Sequence, residues 1–167
     1  MHRIRLIAVV LVLALLGAVT ASAAAAERKV VLKLKSKPAQ TVQHDMNADG
    51  SMGAGDMVVY MPTPLFNLQG KRIGERGVVT MITSDPDAKG QSMAQSQVNL
   101  YFSHGNAIYE TLYDKGYFNG GGHPLRKGDV WRRAIVGGTG RYMGARGEDV
   151  VRYNGDWVYF TLTMYLP

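Results

Sequence analysis

The chain has 167 residues, no cysteine and a formal net charge of +6 at pH 7. Without cysteine it has neither a disulfide framework nor a site for lipid attachment through a thiol, so a hydrophobic core must stabilise the fold. The positive charges are spread along the chain and form no basic cluster interleaved with aromatic residues, which argues against nucleic acid as a partner.

Residues 1–26 have the pattern of a secretory signal peptide. MHRIR supplies positive charge, LIAVVLVLALLGAV is an apolar run, and TASAAAAE offers small-residue cleavage sites. The run is shorter than the roughly 20 residues that a membrane-spanning helix needs. We therefore expect cleavage after Ala26, a secreted product and no stable membrane insertion, with an uncleaved N-terminal anchor as the alternative. The mature domain, residues 27–167, has 17 basic and 13 acidic residues.

Beyond Glu27 the apolar residues recur at every second position or in short blocks, which Gly, Asn, Asp and Pro separate. This period is typical of strands, and no stretch has the period of an amphipathic helix. An all-β chain of this length must protect its sheet edges, and closure into a barrel removes them. The pattern predicts eight strands: RKVVLKLKS, GDMVVYM, RGVVTMIT, SQVNLYFS, AIYETLYD, DVWRRAIV, EDVVRYN and DWVYFTLTMYL.

The stretch DMNADGSMGAGD matches part of the calcium-binding loop of an EF-hand. Asp45, Asn47 and Asp49 occupy loop positions one, three and five, Gly50 stands at the turn, and Asp56 at the last position. Aspartate is shorter than the usual glutamate at that last position, and no helices flank the loop. Two interpretations remain open: a polar turn between the first two strands, or a calcium site of low affinity.

The glycine-rich stretch AIVGGTGRYMGARG follows a predicted strand. Gly138, Gly140 and Gly144 approximate a dinucleotide-binding motif, but that motif must open a helix. The residues that follow, EDVVRYNGDWVYFTLTMYLP, have the pattern of a β-hairpin, and no Lys-Ser or Lys-Thr pair completes a phosphate loop. The glycines therefore predict a barrel corner and a tight turn.

These segments resemble those of two protein families. AIVGGTGRYMGARG is similar to the signature of dirigent proteins, and both GDMVVYMPTPLFNLQGKRIGERGVVTMIT and the terminal YFTLTMYLP resemble plant allene oxide cyclases. The resemblance extends from about His44 to the end of the chain. It implies an all-β fold, an eight-stranded antiparallel β-barrel with an apolar internal cavity, commonly assembled as a homotrimer.

The resemblance also implies site residues on two strands. QHDM supplies His44 and Asp45 where dirigent proteins have a His-Asp pair, so Asp45 is the first candidate for a catalytic acid, and a strand-end cap is its alternative role. The arginine that dirigent proteins place before the glycines corresponds to Arg132 or Arg133. These two alternate to opposite faces of a strand, and Arg133 is favoured because it shares a face with Trp131.

Three tyrosines, Tyr60, Tyr101 and Tyr109, are candidates for ligand binding beside His44, although tyrosines in strands also serve in packing. Met61 and Pro62 stand where the cyclases have a Thr-Asn pair, so allene oxide is not the expected substrate.

The function implied is binding of an apolar small molecule and direction of its cyclisation or stereoselective coupling, an isomerase-like activity that needs no cofactor. The alternatives are a non-catalytic extracellular carrier of a lipid or secondary metabolite, and a structural trimer whose cavity is filled by its own side chains.

Overall fold

The computed structural model describes residues 27–116 and 125–167, so the predictions for residues 1–26 lie outside the described residues. Within these residues, the regular structure consists of antiparallel strands and two single 3-10 turns, Ser103–Gly105 and Gly140–Tyr142. None of the described helices is long and apolar enough to span a bilayer. The strands are β1 (Arg28–Ser36), β2 (Thr41–His44), β3 (Met57–Asn67), β4 (Arg72–Ile82), β5 (Ser92–Phe102), β6 (Ala107–Gly116), β7 (Val130–Thr139), β8 (Arg146–Tyr153) and β9 (Val158–Leu166).

The sheet closes on itself. Strands β3 to β9 pair with their neighbours in chain order, and β1 pairs with β9 on one side and with β3 on the other. The predicted eight-stranded antiparallel barrel is therefore confirmed. The additional strand β2 was not among the eight predicted strands, because its four residues are too few to show an apolar period.

Strands β1 and β2 both pair with β3, one after the other, and a short break in the chain of hydrogen-bonded residues separates them. Both follow the same register, since Ser36 is opposite Leu65 and Thr41 is opposite Tyr60. The interruption, residues 37–40, contains Pro38, and β3 has a register shift between Tyr60 and Thr63. Proline lacks the N–H that a central strand needs, so it is found at such irregularities. Ala39, inside this interruption, lines the cavity described below.

The glycine-rich stretch forms the turn from β7 to β8. A side chain at Gly138 would place its Cβ 2.5 Å from the Tyr142 carbonyl oxygen and 2.6 Å from that of Ala107. At Gly147, where φ is +150°, a Cβ would overlap the Thr163 carbonyl oxygen of β9. Only glycine permits such close backbone approaches. A strand and not a helix follows the turn, which confirms the predicted corner.

The main core cluster lies inside the barrel and adjoins the cavity, since Val78, Val151 and Val158 belong to both. Inward-facing side chains from each of the eight barrel strands contribute to this cluster. A second, smaller cluster packs Met52 of the loop before β3 against Val58, Ile82 and Ala94. The main cluster includes Leu34, Leu65, Val98, Leu100, Ile108, Ile135, Tyr142, Phe160, Leu162 and Met164.

Candidate functional site

A cavity of about 280 Å³ lies within the barrel. Inward-facing residues from most of the strands form its walls, because every second residue of a barrel strand faces the interior. This volume is just below the usual range for small-molecule sites, roughly 300–1,000 Å³. The residues that line it are Ala39, Thr41, Tyr60, Arg76, Val78, Thr80, Ser96, Leu112, Asp114, Leu125, Trp131, Arg133, Val151 and Val158.

Arg133 lies between two buried carboxyl groups on the neighbouring strands. Its Nη1 is 3.3 Å from Glu110 Oε2 on β6 and 3.9 Å from Asp149 Oδ2 on β8. The register sets this geometry, since Arg133 is directly opposite Asp149 and Glu110 is opposite Ile135, two residues further along β7. Both carboxyl side chains are fully buried. Three neighbouring strands therefore place one cation between two acids.

A second arginine, Arg76 of β4, joins this group from another part of the barrel wall. Its guanidinium lies 5.5 Å from the centre of the Phe160 ring, and that of Arg133 lies 5.9 Å from the same ring. Arg76 is only 5% exposed, forms no ion pair with a described carboxylate, and has a buried Nε without a hydrogen-bond partner. It interacts electrostatically with Tyr60.

Burial disfavours ionisation of the two carboxyl groups. Glu110 Oε1 and both oxygens of Asp149 have no hydrogen-bond partner among the described residues, whereas ionised carboxylates would require donors. Burial raises the pKa of both groups, and the nearby Glu110 charge helps to raise the pKa of Asp149 to about 8.

Burial, with the like charge of Arg133, lowers the pKa of Arg76 to about 10. Arg76 therefore remains a cation at neutral pH. The buried group thus combines the guanidinium groups of Arg76 and Arg133 with the carboxyl groups of Glu110 and Asp149, whose protonated forms burial favours. Such a group can donate hydrogen bonds to an oxygen that gains negative charge, and it can move a proton.

The two candidate arginines lie on opposite faces of β7, as predicted. Arg133 lines the cavity with Trp131, whereas the Arg132 side chain is 68% exposed and pairs with Glu148 at 2.6 Å. Tyr60, a candidate for ligand contact, also lines the cavity. Of the sequence-derived candidates, the structure brings together Arg133 and Tyr60.

The remaining candidates lie elsewhere. Asp45 follows β2, is absent from the described cavity lining, and accepts a hydrogen bond from the Gly50 N–H at 2.7 Å. This hydrogen bond fits the strand-end role that was its alternative, while Asp45 Oδ1 is buried without a partner, and the catalytic role stays a prediction. His44 is exposed. Tyr101 is exposed beside a second, more open concavity, and Tyr109 alternates with the inward-facing Ile108 and Glu110.

The loop with the calcium-like spacing uses its carboxylates to hold its own backbone. The oxygens of buried Asp56 accept hydrogen bonds from the N–H groups of Met46 and Gly53, each at 2.7 Å. Asp49 accepts hydrogen bonds from both the N–H and the hydroxyl of Ser51. Within residues 27–116 and 125–167 no three His, Asp or Glu side chains are arranged to hold a metal. This geometry is that of a polar turn, and calcium binding stays a hypothesis.

Three members of the buried group, Arg76, Glu110 and Asp149, were not among the sequence-derived candidates. The signal that could have found them is a charged residue on the apolar face of a strand. In AIYETLYD, Glu110 stands between Ile108 and Leu112 at the inward spacing of two, and Asp149 stands two residues before Val151. Charged side chains are rarely buried without a partner, so such positions indicate a site.

The chain forms a closed β-barrel that contains a cavity of about 280 Å³, with buried charged side chains beside this cavity. No protein-family model matches the sequence, and no curated protein matches it either. Similar solved structures share this barrel fold. A pyocyanin demethylase is 23% identical, with a TM-score of 0.58 over 81% of this chain and 99% of its own.

Two further structures have the same fold at lower identity. A pterocarpan synthase dirigent protein is 18% identical, with a TM-score of 0.57 over 83% of this chain and 88% of its own. A Diels-Alderase from Streptomyces koyangensis is also 18% identical, with a TM-score of 0.59 over 99% of this chain and 81% of its own.

Proposed function

We propose that the cavity binds an apolar small molecule and directs its cyclisation or stereoselective coupling. The observation that supports this most is the position of the charges. Two guanidinium groups, Arg76 and Arg133, line a cavity whose other described lining residues are apolar or hydroxylated, except for Asp114. The buried carboxyl groups of Glu110 and Asp149 adjoin Arg133. The fold shared with a dirigent protein and a Diels-Alderase is consistent with this proposal.

The cavity contributes to the reaction mainly by orientation. Its shape holds the ligand in the conformer that reacts, which lowers the entropic part of the barrier. Arg76 and Arg133 donate hydrogen bonds to a ligand oxygen as negative charge develops on it, in surroundings that exclude water. A ring closure of this kind conserves atoms and needs no cofactor. A coupling would draw its oxidant from solution, and the cavity would set only the stereochemistry.

Two probe reactions test this proposal: thermal ring closure of a diene tethered to a dienophile, and coupling of a propenylphenol by a one-electron oxidant. Each gives a racemic product in free solution. With the protein we expect an enantiomeric excess in at least one of them, measured by chiral chromatography, because one ligand face is shielded.

Ala39→Trp places a large ring at the interruption between β1 and β2, where it fills part of the cavity. We expect it to abolish the enantiomeric excess, whereas Val136→Trp, on the exposed outer face of β7, leaves the excess unchanged. Racemic products in both reactions would contradict the directing role. If the protein still bound naphthamide, a neutral probe of the cavity, the carrier function would be favoured.

We also propose that the protein is exported and acts as a homotrimer. The apolar outer face of β2 to β4 supports self-association: Val42, Val59 and Val79 are in register across these strands, and Met81 beside them is 49% exposed. Native mass spectrometry of the exported protein tests both points. We expect three copies, each beginning within a few residues of Glu27. A monomer would contradict the homotrimer, and a chain that retains MHRIR would contradict export with cleavage of the signal peptide.

A further inference from the structure

Two guanidinium groups, those of Arg76 and Arg133, line the cavity, and Asp114 is the one carboxylate among its described lining residues. A buried charge without an ion-pair partner is costly, and a bound group of opposite charge relieves that cost.

The two arginines differ in their ion pairs. Arg133 already has Glu110 at 3.3 Å and Asp149 at 3.9 Å, whereas Arg76 interacts with these two acids only beyond ion-pair distance. Arg76 is 5% exposed, lines the cavity, and its buried Nε lacks a hydrogen-bond partner. A buried guanidinium that borders a cavity and has no ion pair can recognise an anionic oxygen there.

We infer that the ligand of this cavity is an apolar organic monoanion, a carboxylate or phenolate, whose charged oxygen pairs with Arg76. The inference rests on the proposed function and narrows its ligand class. One anionic oxygen would supply the ion pair that Arg76 lacks. The apolar walls, including Val78, Leu112 and Trp131, would contact the remainder of the molecule.

Naphthoate and naphthamide form a matched pair of probes, since they have the same shape and differ in charge. At pH 7 we expect isothermal titration calorimetry to show naphthoate binding about tenfold or more tightly than naphthamide, because hydrogen bonds to charged groups contribute most. Arg76→Met should remove this preference while naphthamide binding changes by less than about twofold. Arg76→Lys should retain part of the preference, since it keeps the charge but not the planar donors.

Arg132→Met is the control, because it removes an arginine from the outer face of β7. It should change the affinity for neither probe, and thermal melting checks that each variant is folded. Equal affinity of the wild-type protein for both probes overturns the inference and leaves the proposed cavity function intact. Loss of the naphthoate preference in Arg132→Met also overturns it. Binding of neither probe to the wild-type protein overturns the inference and the proposed function together.

Discussion

Arg133→Met should lower the free energy of unfolding by about 3–5 kcal/mol, the usual cost of removing one partner of a buried ion pair. Arg133 is the cation that lies closest to both Glu110 and Asp149, and both carboxyl groups are fully buried. Without it they must take up protons or remain as uncompensated charges, so the loss should increase with pH. Urea denaturation at pH 6 and pH 8 measures both effects.

The neighbouring residue provides the matched control. Arg132 makes its ion pair with Glu148 at 2.6 Å, but its side chain is 68% exposed. Exposed pairs contribute about 0–1 kcal/mol, so Arg132→Met should have a small effect at either pH. Addition of Glu110→Gln and Asp149→Asn to the Arg133→Met variant should restore much of the stability, because the acids that need the cation are gone. Similar effects of the two single arginine variants would contradict the buried-pair account.

The barrel could be predicted from sequence because its determinants are local. Alternating apolar residues predict the strands, and the glycines of β7 and the following turn predict the corner, since Gly138 and Gly147 lie where any side chain would clash. The prediction of opposite faces for Arg132 and Arg133 succeeded for the same reason. Such features depend on a period of two and on backbone geometry, which a sequence shows directly.

The buried charges could not be predicted in the same way, because they depend on distances across the barrel. Arg76, Glu110 and Asp149 are separated by long stretches of chain, and the closed sheet brings them to one level of the interior. Each of these residues alone is a single charged side chain on an inward face, and only the closed barrel shows two carboxyl groups beside two guanidinium groups. Asp45 had the more familiar motif context, and the structure places its Oδ2 on the Gly50 N–H after β2.

Asp149→Asn should remove a dependence of stability on pH. In the folded protein burial and the nearby Glu110 raise the pKa of Asp149 from 3.8 to about 8. Between these values the folded state keeps a proton that the unfolded state has released. Stability must therefore fall as pH rises from about 4 to 8, by up to roughly 1.4 kcal/mol per pH unit for one proton.

Asparagine resembles the protonated acid in shape and charge, so the variant should stay close to wild-type stability near pH 5 and become relatively more stable toward pH 8. Urea denaturation of both proteins across this range gives the difference, in which contributions from other titrating groups cancel to first order. Asp156→Asn, in the exposed turn before β9, is the matched control, because it makes the same substitution outside the buried group. A stability difference between Asp149→Asn and the wild-type protein that stays the same at every pH would contradict the raised pKa of Asp149.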